Sequence, residues 1–171
     1  LATDTLIGKA TTDTLTNKSI AATQLTGTIA AAALPAGSVL QVVNATYATE
    51  TATTSASFVD TGLTATITPS STSSKVLVIL TPAITQSPIA VISLNLFRGS
   101  SLFTWGVRVG WNSGAGVSEV STIASFSYLD SPSSTSALVY KVQMKRDSGS
   151  GTIYAQGNGA YSTITLMEIQ G

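Results

Sequence analysis

The chain has 171 residues, a formal net charge of zero and only 9% charged residues, against about 25% in an ordinary soluble domain. It contains no His and no Cys, which excludes His-based triads, thiol nucleophiles, disulfides and zinc sites built on imidazole or thiolate. Balanced charge gives no electrostatic footing for nucleic acid or an anionic membrane, and no apolar run approaches the ~20 residues of a membrane span.

Low charge does not mean disorder here, because 43% of the residues are hydrophobic and disordered chains combine low hydrophobicity with high charge. Ser and Thr make up 51 of the 171 residues, so a hydroxyl-rich surface carries the solubility. The chain opens at Leu1 without Met and without a charged-then-apolar leader pattern, and is read as the tail end of a longer polypeptide.

Residues 1–46 contain no aromatic residue; Tyr47 is the first. Aromatic side chains bring much of a core's buried area, so this stretch cannot build a globular core alone. It carries a repeat: Thr3-Asp4-Thr5-Leu6-Ile7-Gly8-Lys9 is echoed by Thr12-Asp13-Thr14-Leu15-Thr16-Asn17-Lys18. Repeats with so few apolar anchors bury a face only against neighbours. Residues 1–37 are therefore expected to be either a flexible linker or a stalk in which identical chains wrap each other. The Ala-rich runs at 21–22 and 30–33 permit a short helix.

From Ser38 onward the pattern is one of strands. They are expected at Val39–Tyr47, Thr53–Val59, Leu63–Ile67, Lys75–Ile84, Ile89–Arg98, Ser101–Val109, Val117–Leu129, Ala137–Arg146, Thr152–Ala155 and Ser162–Ile169. Turn signals fall between them, including Asp60-Thr61-Gly62, Gly99-Ser100, Asn112-Ser113-Gly114 and Gly157-Asn158-Gly159. Short strands at this spacing predict an all-β, antiparallel β-sandwich over 38–171, jelly-roll-like in topology. In Leu138–Lys145, Leu138, Tyr140, Val142 and Met144 take one face and polar residues most of the other, as in a half-exposed strand. Val76–Leu80 is apolar on both faces. With no helix to cover the second face, another subunit is the simplest candidate.

The available catalytic material is carboxylates, Lys, Ser, Thr and Tyr. A glycosidase needs two carboxylates facing each other about 5–10 Å apart, and no such pair is evident. Asp130 and Asp147 flank one strand and are expected at opposite ends of the sandwich, and most of the acids read as turn formers. No phosphate loop and no calcium loop is present, so neither cofactor nor metal is expected; Asp4 or Asp13 are the stalk acids that a three-fold axis would gather. Asn17-Lys18-Ser19 and Asn44-Ala45-Thr46 match the glycosylation pattern, which matters only in a eukaryotic secretory route. Trp105 alternates with polar Thr104 and reads as core. Trp111 sits among Gly110, Asn112, Ser113 and Gly114, where ligand contact and subunit packing are both open. Arg98 reads as a solvated strand end, and Arg108, inside a strand pattern, as paired or ligand-facing.

Thr12-Asp13-Thr14-Leu15-Thr16-Asn17-Lys18-Ser19-Ile20 resembles the stalk repeats of tailed-bacteriophage fibres. Gln24-Leu25-Thr26-Gly27-Thr28-Ile29, followed by Leu34-Pro35, resembles the segment leading into their terminal domains. Phe58-Val59-Asp60-Thr61-Gly62-Leu63, Thr68-Pro69-Ser70-Ser71, Ser74-Lys75-Val76-Leu77-Val78 and the ending Thr165-Leu166-Met167-Glu168-Ile169 look like a terminal domain of fibre proteins from marine and cyanobacterial phages. The order of these motifs carries the resemblance; residues 85–118 match nothing. It implies a homotrimeric, extracellular virion fibre, held to other tail proteins through a missing N-terminal part and adhering to bacterial surface polysaccharide or protein. It supplies no binding residues.

The expected function is therefore a non-enzymatic, receptor-binding fibre. The alternatives are a purely structural collar or head fibre, and a capsular depolymerase, disfavoured by the missing His and the carboxylate pattern. A receptor surface belongs at the end of the knob far from the stalk. Segments mixing aromatic, amide and flexible residues suit contact, which makes Arg108, Trp111, Asn112 and Tyr161 the candidate residues, with Asn158 beside the last.

Overall fold

In a computed structural model of the chain, residues 29–30, 33–87, 89–110 and 119–171 are described, the side chains of Thr104 and Trp105 excepted. The chain divides into Leu1–Ala30 and Ala31–Gly171. The expected stalk falls almost wholly outside the described residues. The second unit begins earlier than Ser38, because the Gly37 amide donates to the Gln170 carbonyl at 2.8 Å.

The described residues are all-β, with antiparallel sheets throughout and no α-helix. The first sheet has the order β1-β12-β4-β9, built from Val39–Tyr47, Ser162–Ile169, Lys75–Thr81 and Phe126–Asp130. The second has the order β3-β10-β6-β7, from Val59–Ile67, Leu138–Ser148, Val91–Arg98 and Ser101–Gly110. A third, short sheet has the order β2-β11-β5-β8, from Thr51–Thr53, Ile153–Ala155, Ala83–Gln86 and Val120–Ile123.

Alternation decides what is buried. Every second residue of a strand points to the same face, and Val76, Val78, Leu80, Ile164 and Leu166 of the first sheet join one core with Leu63, Ile67, Ile92, Leu94, Leu96, Val142 and Met144 of the second. The expected inward face of the Leu138–Lys145 stretch holds, with Tyr140, Val142 and Met144 fully buried. On the outer face of the first sheet, Val42 pairs with Met167, Met167 with Leu77, and Leu77 with Leu129. This is a continuous apolar row across four strands.

Three expected strands are cut shorter. The stretch Lys75–Ile84 breaks at Pro82, which has no N–H to give a ladder. Its partner stretch Val117–Leu129 breaks at the matching place, where the Ala124 amide donates to the Pro82 carbonyl at 3.0 Å. These breaks separate the third sheet from the first. The stretch Thr53–Val59 leaves the strand after Thr53 and regains one only at Val59, because Thr53 and Ser55 hydroxyls take the Ser55 and Ser57 amides, a local alternative to the ladder. Asp60-Thr61-Gly62, read as a turn, lies inside β3. The register with β10 shifts between Lys141 and Gln143, and Gly62 there has φ of 84°, as in a bulge that only Gly adopts easily.

The registers also define two ends. Val39, Ile169 and Lys75 lie at one end of the first sheet, and Tyr47, Ser162 and Thr81 at the other. At about 3.3 Å per residue, β1 alone separates them by roughly 26 Å. In the second sheet Ile67, Arg98 and Leu138 share an end, and Val59, Val91, Gly110 and Ser148 the opposite one. Arg98 of β6 and Tyr140 of β10 both bond Asp130 of β9, which matches their end to the Ser38 end. Asp130 and Asp147 thus sit at opposite ends of β10's length, as expected.

Candidate functional site

The site is built at the end away from Ser38, around the connection from β11 to β12. Two backbone features shape it. Gln156 and Asn158 both take left-handed conformations, with φ of 57° and 58°, each costing on the order of 1–3 kcal/mol for a residue with a side chain. Gly157 between them packs so closely that an added Cβ would lie 2.9 Å from Thr85 Oγ1 and 3.3 Å from Tyr154 Cβ. The chain passes directly over β5.

A buried network holds this strained turn. Gln156 is fully buried; its Nε2 donates to Ser162 Oγ at 2.6 Å, and the Ala83 amide donates to the same oxygen at 2.9 Å. The Gln156 amide donates to the Ala83 carbonyl at 2.9 Å. The turn that carries Asn158 and Tyr161 is therefore tied to β5 on one side and to the start of β12 on the other.

Two adjoining depressions open there. The larger, of about 660 Å³, is lined by Ala83, Ile84, Ile123, Ala160 and Tyr161, with hydroxyls from Thr81, Thr85, Ser121, Thr122 and Thr163. No charged residue lines it. Ile123 and Tyr161 are 66% and 67% exposed, so the depression presents two large side chains to water. The smaller, of about 240 Å³, is lined by Glu50, Glu119, Tyr154 and Asn158, and shares Thr85, Gly157 and Asn158 with the larger. The Asn158 amide reaches Glu119 Oε2 at 3.5 Å.

The expected site residues divide. Tyr161 lines the larger depression. Arg108 does not: it lies on β7 opposite Ser93 and forms an ion pair with Asp147 of β10, joined by Lys145 at 3.4 Å. Burial opposes ionisation of Asp147, but Arg108 and Lys145 outweigh it and hold the carboxyl below its ordinary value. Trp111 and Asn112 lie outside the described residues. Of the described residues on either side, Gly110 ends β7 at the end away from Ser38 and Glu119 lies beside Asn158.

The acids also correct the reading of turn formers. Asp60 accepts from Gln143 at 2.7 Å and from Lys141, and the Gln143 bond leads the effects that hold it below its ordinary value. Asp130 bonds Arg98 and the Tyr140 hydroxyl. Arg98 is thus paired rather than simply solvated, and lies over the Phe103 ring. Glu168 accepts from the Ser70 amide and hydroxyl and from Gln41. Two acids that the sequence pattern does not single out, Glu50 and Glu119, line the same depression. No spacing signal relates them; they precede β2 and β8, the two edge strands of the third sheet, and the depression spans the face between those edges.

No protein-family model matches the chain, and no curated protein is significantly similar to it.

Proposed function

We propose that the chain is the distal part of a tailed-bacteriophage fibre, a non-enzymatic virion protein that adheres to the host bacterial surface. The carrying observation is position: a depression that pairs exposed aromatic and aliphatic side chains lies at the end remote from Ser38, where residues 1–37 join. A site at that end stays accessible when the other end is attached.

The topology supports the same reading. Successive strands of the two larger sheets alternate between them, except that β6 and β7 form a hairpin within the second: β1, β4, β9 and β12 are in the first, β3, β6, β7 and β10 in the second. The orders β1-β12-β4-β9 and β3-β10-β6-β7 are those of an eight-stranded jelly roll. We assign the fold to that class, with residues 1–37 as the stalk. The apolar row on the outer face of the first sheet supports a homotrimer, since it gives identical chains an uncharged surface to bury.

Adsorption of the labelled, full chain to a panel of bacterial envelopes tests the reading. Binding to some envelopes, lost in Tyr161→Ala with melting temperature retained, is the expected result. An intact trimer that adsorbs to none would favour the purely structural fibre.

A further inference from the structure

The two adjoining depressions differ in polarity along one line, and the difference specifies a ligand. The larger is lined by apolar side chains, an exposed phenol ring and hydroxyl residues, of which Thr85 and Ser121 bond each other at 2.9 Å. That mixture suits a pyranose ring, which offers an apolar face to stack and hydroxyls to bond. The smaller is lined by two carboxylates and by no cation. It would repel a uronic acid, and it favours a positively charged group with hydrogens to donate.

We infer, resting on the adhesive reading above, that this double cleft binds a glycan containing a free amino sugar. One ring lies against Tyr161 and Ile123. The ammonium of the adjoining unit sits in the depression that Glu50, Glu119 and Asn158 line. The shared wall of Thr85, Gly157 and Asn158 spaces the two units, and the strained turn fixed by Gln156 keeps Asn158 in place before the ligand arrives. A lysine-bearing surface protein would satisfy the carboxylates but brings no ring hydroxyls to Thr81, Thr122 and Thr163, so a saccharide is the better fit. Both glutamates are exposed, whereas a glycosidase acid works from a desolvated position; binding, not cleavage, is the outcome.

Calorimetric titration of the full chain with three oligosaccharide sets tests this: glucosamine oligomers, their N-acetylated counterparts, and oligogalacturonates. Glucosamine oligomers should bind, the acetylated set about tenfold more weakly, and the uronates not at all. Binding should weaken in 1 M salt, where the screening length falls to about 3 Å. Glu50→Gln and Glu119→Gln should each reduce the preference for the free amine by about two- to fivefold, the scale of exposed ion pairs. Equal or tighter binding of the acetylated or uronate set, no binding of any amino sugar, or release of shortened products would each overturn the inference. Failure here is separable from failure of the adhesive reading. If Tyr161→Ala abolishes envelope adsorption while the amine preference is absent, adhesion stands and the ligand class falls; if the chain adsorbs to no envelope, both fall.

Discussion

The Tyr140 hydroxyl donates to Asp130 Oδ2 at 2.6 Å, joining β10 of one four-stranded sheet to β9 of the other. Tyr140 is fully buried and Asp130 nearly so, and Arg98 pairs with the same carboxylate oxygen. Burial first, and then the Asp130 charge, push the Tyr140 phenol above its ordinary value. It therefore stays a proton donor throughout the neutral range. Tyr140→Phe keeps the ring but removes one bond to a charged acceptor, worth about 1.5–3 kcal/mol. Chemical denaturation should show a loss of that size. A loss below about 0.5 kcal/mol would mean that Arg98 alone satisfies Asp130.

Glu168 gives the fold a pH dependence. It is buried on β12. Burial raises its pKa, but the hydrogen bonds from Ser70 and Gln41 lead the effects that outweigh burial and hold the carboxyl below its ordinary value of 4.5. Because the folded value is the lower one, its contribution is complete above that ordinary value. It is lost as pH falls through the folded value. Glu168→Gln should lower the melting temperature at pH 7 and flatten the loss on acidification below about pH 4.5. A variant with the same acid slope as the parent would place the titration elsewhere.

Gly62 tests the bulge. Its φ of 84° disfavours any side chain, and an added Cβ would lie 2.2 Å from the Tyr47 ring. Gly62→Ala combines left-handed strain with overpacking, each on the order of 1–3 kcal/mol. A destabilisation of about 3 kcal/mol or more is expected by denaturant titration. Tyr47→Leu in the same chain should recover part of it, because the clash is with the ring.

Much of this fold was legible because it follows period two. The inward set Tyr140, Val142 and Met144 and the doubly apolar Val76–Leu80 can be read from spacing alone. What spacing does not carry is where a run breaks or bulges. Pro82 was visible in Lys75–Ile84 and marks the break. The break at Ala124 has no such residue and follows only from its pairing with Pro82. Gly62 looked like a turn because the same conformational freedom serves turns and bulges. At the site, Tyr161 and Asn158 could be found from composition, since aromatic and amide residues among glycines mark contact loops. Glu50 and Glu119 could not, because they are 69 residues apart and come to one depression only through the assembled third sheet and the turn that covers it. Nor could the ion pair that occupies Arg108, whose partner is far along the chain.

Arg108 and Tyr161 are therefore expected to separate in function. Arg108→Ala removes a partly exposed ion pair with Asp147, and should leave melting temperature and adsorption close to the parent values. Tyr161→Ala removes a side chain that is 67% exposed, so stability should change by no more than about 0.5 kcal/mol while adsorption is lost. The opposite pattern, with Arg108 essential and Tyr161 dispensable, would move the contact surface to the outer face of β7.

The apolar row Val42–Met167–Leu77–Leu129 tests assembly. Its terminal residues, Val42 and Leu129, are 55% and 50% exposed in the single chain. A carboxylate at either position costs an isolated chain no more than about 0.5 kcal/mol. In an assembly that buries the row, the same carboxylate loses its hydration without a partner, and the cost rises to several kcal/mol per copy. The parent should sediment as a trimer, with a melting temperature that rises with concentration. The double variant Val42→Glu, Leu129→Glu should shift toward monomer and melt lower at equal concentration. If the parent is a stable folded monomer at micromolar concentration, the trimer is excluded. If the parent is a trimer and the double variant sediments and melts identically, this face is not the one the copies share.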